Sequence, residues 1–81
     1  MCTYITNTVD VSGSAKGADG WFKATTATVY YDHPAHAAAE HTLNIDVLNP
    51  DLGPGARLAL ELEPATARAL AEAILATLPG G

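Results

Sequence analysis

Three histidines and a carboxylate are concentrated in one short segment of the chain. The segment reads Asp32-His33-Pro34-Ala35-His36-Ala37-Ala38-Ala39-Glu40-His41 and contains every histidine of the protein. Imidazole is the commonest transition-metal ligand in proteins, and a carboxylate often completes the set. If residues 34–40 form a helical turn, His36 and Glu40 lie four residues apart on one face. We therefore predict a site for a divalent transition metal, zinc or iron, formed by His33, His36, Glu40 and His41.

Two interpretations of this segment stay open, because its spacing matches none of the strong zinc motifs. In a catalytic site, an open coordination position would hold water or substrate, and Glu40 would be the catalytic carboxylate. In the other interpretation, His33 and His36 are solvent-facing loop residues and His41 is a hydrogen-bonded strand residue. No organic cofactor is indicated by any motif.

Cys2 is the second candidate for chemistry. Removal of Met1 would leave its thiol beside the α-amine, and the two groups have ordinary pKa values of about 8.5 and about 8. Such a pair can act as nucleophile and base or can bind a soft metal. The alternative is an ordinary small residue at the start of a strand. Because Cys2 is the only cysteine, no disulfide within the chain can form.

Aromatic and basic side chains outline a candidate small-molecule site. Tyr4, Trp21 and Tyr30 lie on two strands that we expect to be neighbours, and they could line a pocket. Lys16 could meet an anion as a point charge, although the glycine-rich segment around it lacks the phosphate-binding P-loop pattern. The alternative is that these aromatic residues belong to a core or an interface and that residues 12–20 are a plain hairpin loop.

The remaining sequence predicts four strands followed by one helix. Period-two alternation indicates strands at residues 3–11, 21–31, 41–48 and 56–63, separated by loops at 12–20 and 49–55. Residues 64–78 carry an apolar stripe at three- and four-residue steps, which is typical of an amphipathic helix. This order predicts an α+β, two-layer ββββα fold, in which one helix packs on one face of an antiparallel sheet.

Register and face follow from the same alternation. In the last hairpin, parity places Ile45 opposite Leu60 and leaves Asp46 and Arg57 as an ion pair on the outer side. On the second strand, the face with Trp21 and Tyr31 carries more bulk, so we predict that it faces the core. The opposite face is rich in threonine and tyrosine, so it needs solvent, a ligand or a second subunit.

Length and charge exclude several classes of protein. Eighty-one residues allow one small domain, 1–81, with a formal charge of −5 from nine acidic and four basic residues. Nucleic acid is an unfavourable partner for such a chain, and neither a membrane span nor a secretion signal is present. We therefore expect a cytoplasmic protein. Since a chain this short buries little surface, a metal or oligomerisation, with a dimer first, is the expected source of extra stability.

Three segments together resemble a family of short uncharacterised proteins, mostly from actinobacteria. These segments are Met1-Cys2-Thr3-Tyr4, the run from Gly13 to Phe22, and Asp32-His33-Pro34 with His41-Thr42-Leu43-Asn44-Ile45-Asp46. The resemblance covers nearly the whole chain and implies a self-standing small bacterial protein. It implies no catalytic residues, since that family has no established activity.

Three hypotheses for function therefore follow from the sequence. The first is a small metal-binding protein, with or without enzymatic activity. The second is a non-catalytic homo-oligomeric binding or assembly module with loop histidines. The third is a metal-free enzyme with Cys2 as its nucleophile.

Overall fold

The chain folds into a four-stranded antiparallel sheet followed by one helix, as the sequence predicts. In the computed structural model, the described residues are 5–32 and 41–80. The elements are β1 (Thr6–Gly17), β2 (Gly20–Asp32), β3 (Thr42–Leu48), a 3-10 helix (Pro50–Leu52), β4 (Arg57–Leu62) and α1 (Pro64–Thr77). The strands lie in the order β1-β2-β3-β4. No helix in the described ranges combines the length and apolar character that crossing a bilayer requires.

The first hairpin differs from the prediction, because β1 extends to Gly17 through the segment expected to be a loop. Only Ala18 and Asp19 form the turn, and Gly20 takes the positive φ of 111° that follows it. The glycines that suggested a loop are accommodated within a strand whose backbone pairs continuously with β2, apart from a register shift between Asp10 and Gly13. Lys16 therefore lies on a strand, opposite Trp21, and not in an anion-binding loop.

The strand register divides the sheet into two faces with different chemistry. Ile45 pairs with Leu60, which confirms the register predicted from parity. We call one face the helix face; it carries Val9, Val29, Tyr31, Leu43, Ile45, Val47, Leu58, Leu60 and Leu62. We call the other the polar face; it carries Thr8, Thr28, Tyr30, Thr42, Asn44, Asp46, Arg57 and Glu61, together with Ala15 and Ala24 near the first hairpin turn.

Helix α1 lies on the helix face, against β3. Pro64 begins the helix, where its missing N–H costs nothing, and the N–H of Leu78 closes the last turn on the carbonyl of Ile74 at 3.1 Å. Only Glu63 separates α1 from β4. The predicted apolar stripe does face the sheet, yet no residue of α1 is buried.

The buried residues lie on the opposite side from the predicted core. The face of β2 that carries Trp21 and Tyr31 lies on the same side of the sheet as α1, but the buried strand residues of the described chain belong to the polar face. Ala15 and Ala24 are 7% and 3% exposed, and Thr42 and Asn44 are 0% and 5% exposed. The reason is curvature of the sheet. A Cβ built at Gly17 would lie 3.0 Å from the carbonyl oxygen of Arg57, so the end of β1 approaches the start of β4.

Asn49 organises the connection between β3 and β4. Its side-chain amide donates to the carbonyl of Lys23 at 3.0 Å, and its oxygen accepts from the N–H of Asp51 at 3.1 Å. Its backbone N–H donates to the carbonyl of Ala56 at 3.2 Å. Asn49 is 6% exposed, so one buried side chain caps the 3-10 helix and fastens the loop to β2.

Candidate functional site

An apolar groove lies between α1 and the helix face. Its volume is about 630 Å³, which falls in the range of ligand sites and of interface grooves. It is lined by Val29, Tyr31, Leu43, Ile45, Leu62, Pro64, Ala67, Arg68, Leu70, Ala71, Glu72, Ile74 and Leu75. We call this the helix-face groove. It exists because one helix covers only part of the sheet beneath it.

The walls of the helix-face groove are apolar and open to water. Leu70, Ile74 and Leu75 are 40%, 52% and 71% exposed, although they lie on the side of α1 that lines the groove. Leu60 and Val9 on the same face of the sheet are 38% and 52% exposed. Several exposed large apolar side chains on one side of a small protein are characteristic of an interaction site.

Charge at the groove is limited to one side of α1. Arg68 and Glu72 stand one helical turn apart and are the charged residues among the described groove lining. At the sheet end of the groove, the ring of Tyr31 stacks on His41 with centroids 5.6 Å apart and an interplanar angle of 9°. His41 therefore points to the helix face, in phase with Leu43.

On the polar face, two side chains converge on Asp46. The Tyr30 hydroxyl donates to one carboxylate oxygen of Asp46 at 3.1 Å, and Arg57 Nη2 donates to the other at 2.7 Å. Asp46 is 15% exposed and Arg57 is 53% exposed, so the predicted ion pair forms with its carboxylate shielded from water. Burial, followed by the hydrogen bond to Asp46, raises the pKa of Tyr30 above its ordinary value of 10.0. Each carboxylate oxygen of Asp46 accepts a hydrogen bond, so Asp46 fixes the positions of Tyr30 and Arg57 on this face.

Most of the predicted metal site lies outside the described residues. His33, His36 and Glu40 fall there, as does Cys2, and the structure describes only His41 of the predicted ligands. Within residues 5–32 and 41–80, no group of three or more histidine, cysteine, aspartate or glutamate side chains could hold a metal ion. The metal site and the Cys2 nucleophile therefore stay predictions.

The predicted small-molecule residues are spread over the sheet. Trp21 lies on the same side as the helix face, at the hairpin end, and is 72% exposed. Tyr30 lies on the polar face near the other end of β2 and is engaged by Asp46. Lys16 pairs with Trp21 and is exposed, while Tyr4 lies outside the described residues. Trp21 and Tyr30 occupy opposite faces, so they do not line a common pocket.

Sequence reasoning identified the apolar stripe of α1 but missed the groove beside it. The three- and four-residue spacing predicts a stripe of Ala67, Leu70, Ala71, Ile74 and Leu78 and indicates no role for Arg68 or Glu72. A usable signal was present, since four strands are wider than the single helix that follows them. Leu75, beside the predicted stripe, was a further sign that α1 carries more apolar surface than one sheet contact needs.

Comparison with known families matches residues 1–80 to a family of unknown function (DUF6295), and the chain belongs to that family. No curated protein and no solved structure matches the chain.

Proposed function

We propose that this member of a family of unknown function is a non-catalytic homo-oligomeric assembly module. Its functional unit is a dimer in which the helix face and α1 of each copy complete a shared core. The observation that carries the proposal is the exposure of the helix face and the groove-lining side chains of α1.

The first support is the composition of the buried interior. The buried apolar residues among those described are Ala15, Ala24 and Ala56, and the only side chain under 2% exposed is Thr42. Full burial of a leucine or isoleucine contributes roughly 1.5–3 kcal/mol, whereas an alanine contributes far less. A single copy thus lacks the large buried side chains that offset the conformational entropy of folding. A second copy supplies them.

The second support is the exposure of apolar side chains on both parts of this surface. Leu70, Ile74 and Leu75 of α1 are 40%, 52% and 71% exposed, and Val9 and Leu60 of the sheet are 52% and 38% exposed. Burial of these side chains by a second copy removes apolar surface from water, which favours association.

The third support is the position of the apolar surface. The sequence suggested the threonine- and tyrosine-rich face as the surface that mates with a second copy. The exposed leucines, isoleucine and valine instead lie on the helix side, and the Asp46 carboxylate on the polar face already holds Tyr30 and Arg57. We therefore place the interface on the helix face and leave the polar face to solvent.

The test is the molar mass of the purified chain in solution, measured by light scattering at concentrations from about 1 to about 100 µM, with thermal unfolding at the same concentrations. We expect twice the monomer mass of 8.4 kDa and a melting temperature that rises with concentration. A monomer that melts cooperatively at a concentration-independent temperature would overturn the proposal. The same preparation treated with a chelator is expected to keep its mass.

A further inference from the structure

Beyond the existence of a dimer, we infer that helix α1 of the second copy occupies the vacant half of the helix face, antiparallel to the resident α1. This inference rests on the proposed function and specifies what fills the helix-face groove. It predicts a layer of two helices between two sheets, with each sheet contacting both helices.

The first argument comes from the width of the sheet compared with the width of one helix. Four strands spaced about 4.8 Å apart make a face roughly 19 Å wide, and one helix with its side chains is about 10 Å across. The helix face therefore has room for two parallel or antiparallel helices, and the chain supplies one. The exposure of Val9 on β1, at 52%, marks the uncovered half, because α1 lies against β3.

The shape of α1 carries the second step. Ala67 and Ala71 lie one turn apart on the side of α1 that lines the groove, flanked by Ile74 and Leu75. Small residues at this spacing let a second helix approach to about 8 Å, the close end of helix-packing distances. The larger side chains on either side then fill the groove from both copies.

The third argument comes from the charged residues beside the groove, which favour a second copy of α1 over an unrelated helix. Arg68 and Glu72 lie on the same flank of the groove-lining surface, one turn apart. In an antiparallel pair related by a twofold axis near Leu70, Arg68 of one copy faces Glu72 of the other, twice over. The surface is therefore complementary to itself in charge as well as in apolar character.

The inference is tested with two oppositely charged variants of the full chain. Arg68→Glu gives an all-acidic flank and Glu72→Arg gives an all-basic flank. Each variant alone sets like charges across the axis, and an equimolar mixture restores both cross pairs. We expect the mixture to form heterodimers about tenfold beyond the statistical exchange constant, measured by native mass spectrometry. Repulsion within one helix cannot produce this preference, because it is the same in homodimers and heterodimers.

A cross-link gives a second, independent readout in a Cys2→Ser background. Ala71→Cys is expected to form a disulfide between copies under mild oxidation, because the twofold axis brings the two positions within reach. Ala73→Cys, exposed on the opposite side of α1, is the matched control and is expected to stay reduced.

The outcomes separate this inference from the proposal beneath it. A dimeric wild type whose charge variants mix statistically, with no cross-link at position 71, overturns the helix arrangement and leaves the dimer standing. A monomeric wild type overturns both. Heterodimer preference together with the position-71 cross-link supports both.

Discussion

The substitution Leu75→Glu places a carboxylate at the most exposed large apolar side chain on the groove-lining side of α1. Leu75 is 71% exposed in one copy, so a chain that folds alone loses little by this change. The buried third of the side chain contributes under about 1 kcal/mol, taking roughly 1.5–3 kcal/mol for complete burial of a leucine. Near-neutral behaviour is therefore the expectation for a monomer.

A dimer across the helix face gives a different magnitude. Burial of the remaining two thirds of Leu75 contributes about 1–2 kcal/mol per copy, or about 2–4 kcal/mol for the pair. Loss of that contribution weakens dimerisation roughly 30- to 900-fold, and desolvation of two carboxylates adds to it. We expect Leu75→Glu to dissociate at concentrations where the wild type is dimeric.

The assay is sedimentation velocity across a concentration series, with circular dichroism to confirm that each variant retains its helix. Thr8→Glu is the matched control, because it introduces the same residue on the polar face, which the proposal leaves to solvent and where position 8 is exposed. If both variants keep the wild-type dissociation constant, the side chain at position 75 is not at an interface and the placement of the core is refuted.

Four further predictions follow from the described contacts and from the histidine segment. Asn49→Ala removes the side-chain partner of the Lys23 carbonyl and of the Asp51 N–H, both in partly buried hydrogen bonds, and is expected to lower the free energy of unfolding by about 1–2 kcal/mol, measured by urea denaturation. Gly17→Ala sets a Cβ 3.0 Å from a backbone carbonyl oxygen, whereas a Cβ at Gly13 meets nothing within 4 Å. Gly17→Ala is therefore expected to lower the free energy of unfolding by about 1–3 kcal/mol, and Gly13→Ala by much less. Equal losses in the two variants would contradict the approach of β1 to β4. The folded state holds the Tyr30 proton more tightly than the unfolded chain does, because burial and the hydrogen bond to Asp46 raise the pKa of Tyr30 above 10.0. This stabilisation is present below pH 10.0 and is lost as the pH rises through the raised pKa, so Tyr30→Phe is expected to flatten the fall in unfolding free energy above about pH 9. For the predicted metal site, elemental analysis is expected to find about one zinc or iron per chain and less in His36→Ala, whereas under about 0.2 per chain in both would end that hypothesis.

Alternation and turn chemistry predicted the fold most accurately where one face is uniformly apolar. Strands β3 and β4 alternate cleanly, so their bounds followed from the sequence to within one residue, as did the pairing of Ile45 with Leu60. The end of β1 did not, because Gly13 and Gly17 suggested a loop while backbone pairing with β2 keeps them in a strand. The residue pattern of β1 alone does not show that β2 pairs with it along its whole length, and this pairing is what keeps the two glycines in a strand.

The candidate site was harder to predict than the fold. The stripe of α1 indicates which side meets the sheet, but how much of the sheet stays uncovered depends on the widths of the two layers. Which face holds the tightly buried residues depends on the curvature that brings Gly17 to Arg57. The metal site predicted for the histidine segment stays a prediction, since His33, His36 and Glu40 lie outside the described residues.

The three buried alanines of the described interior limit which substitutions the protein tolerates there. At Ala15, Ala24 and Ala56 there is almost no side chain to remove, so substitution there mostly means enlargement. These positions are 7%, 3% and 8% exposed, and added methylenes must displace neighbours that are already in contact. Side chains on the open helix face have room to vary in size. Divergent relatives of this chain are thus expected to differ in bulk along α1 while keeping small residues at these three positions.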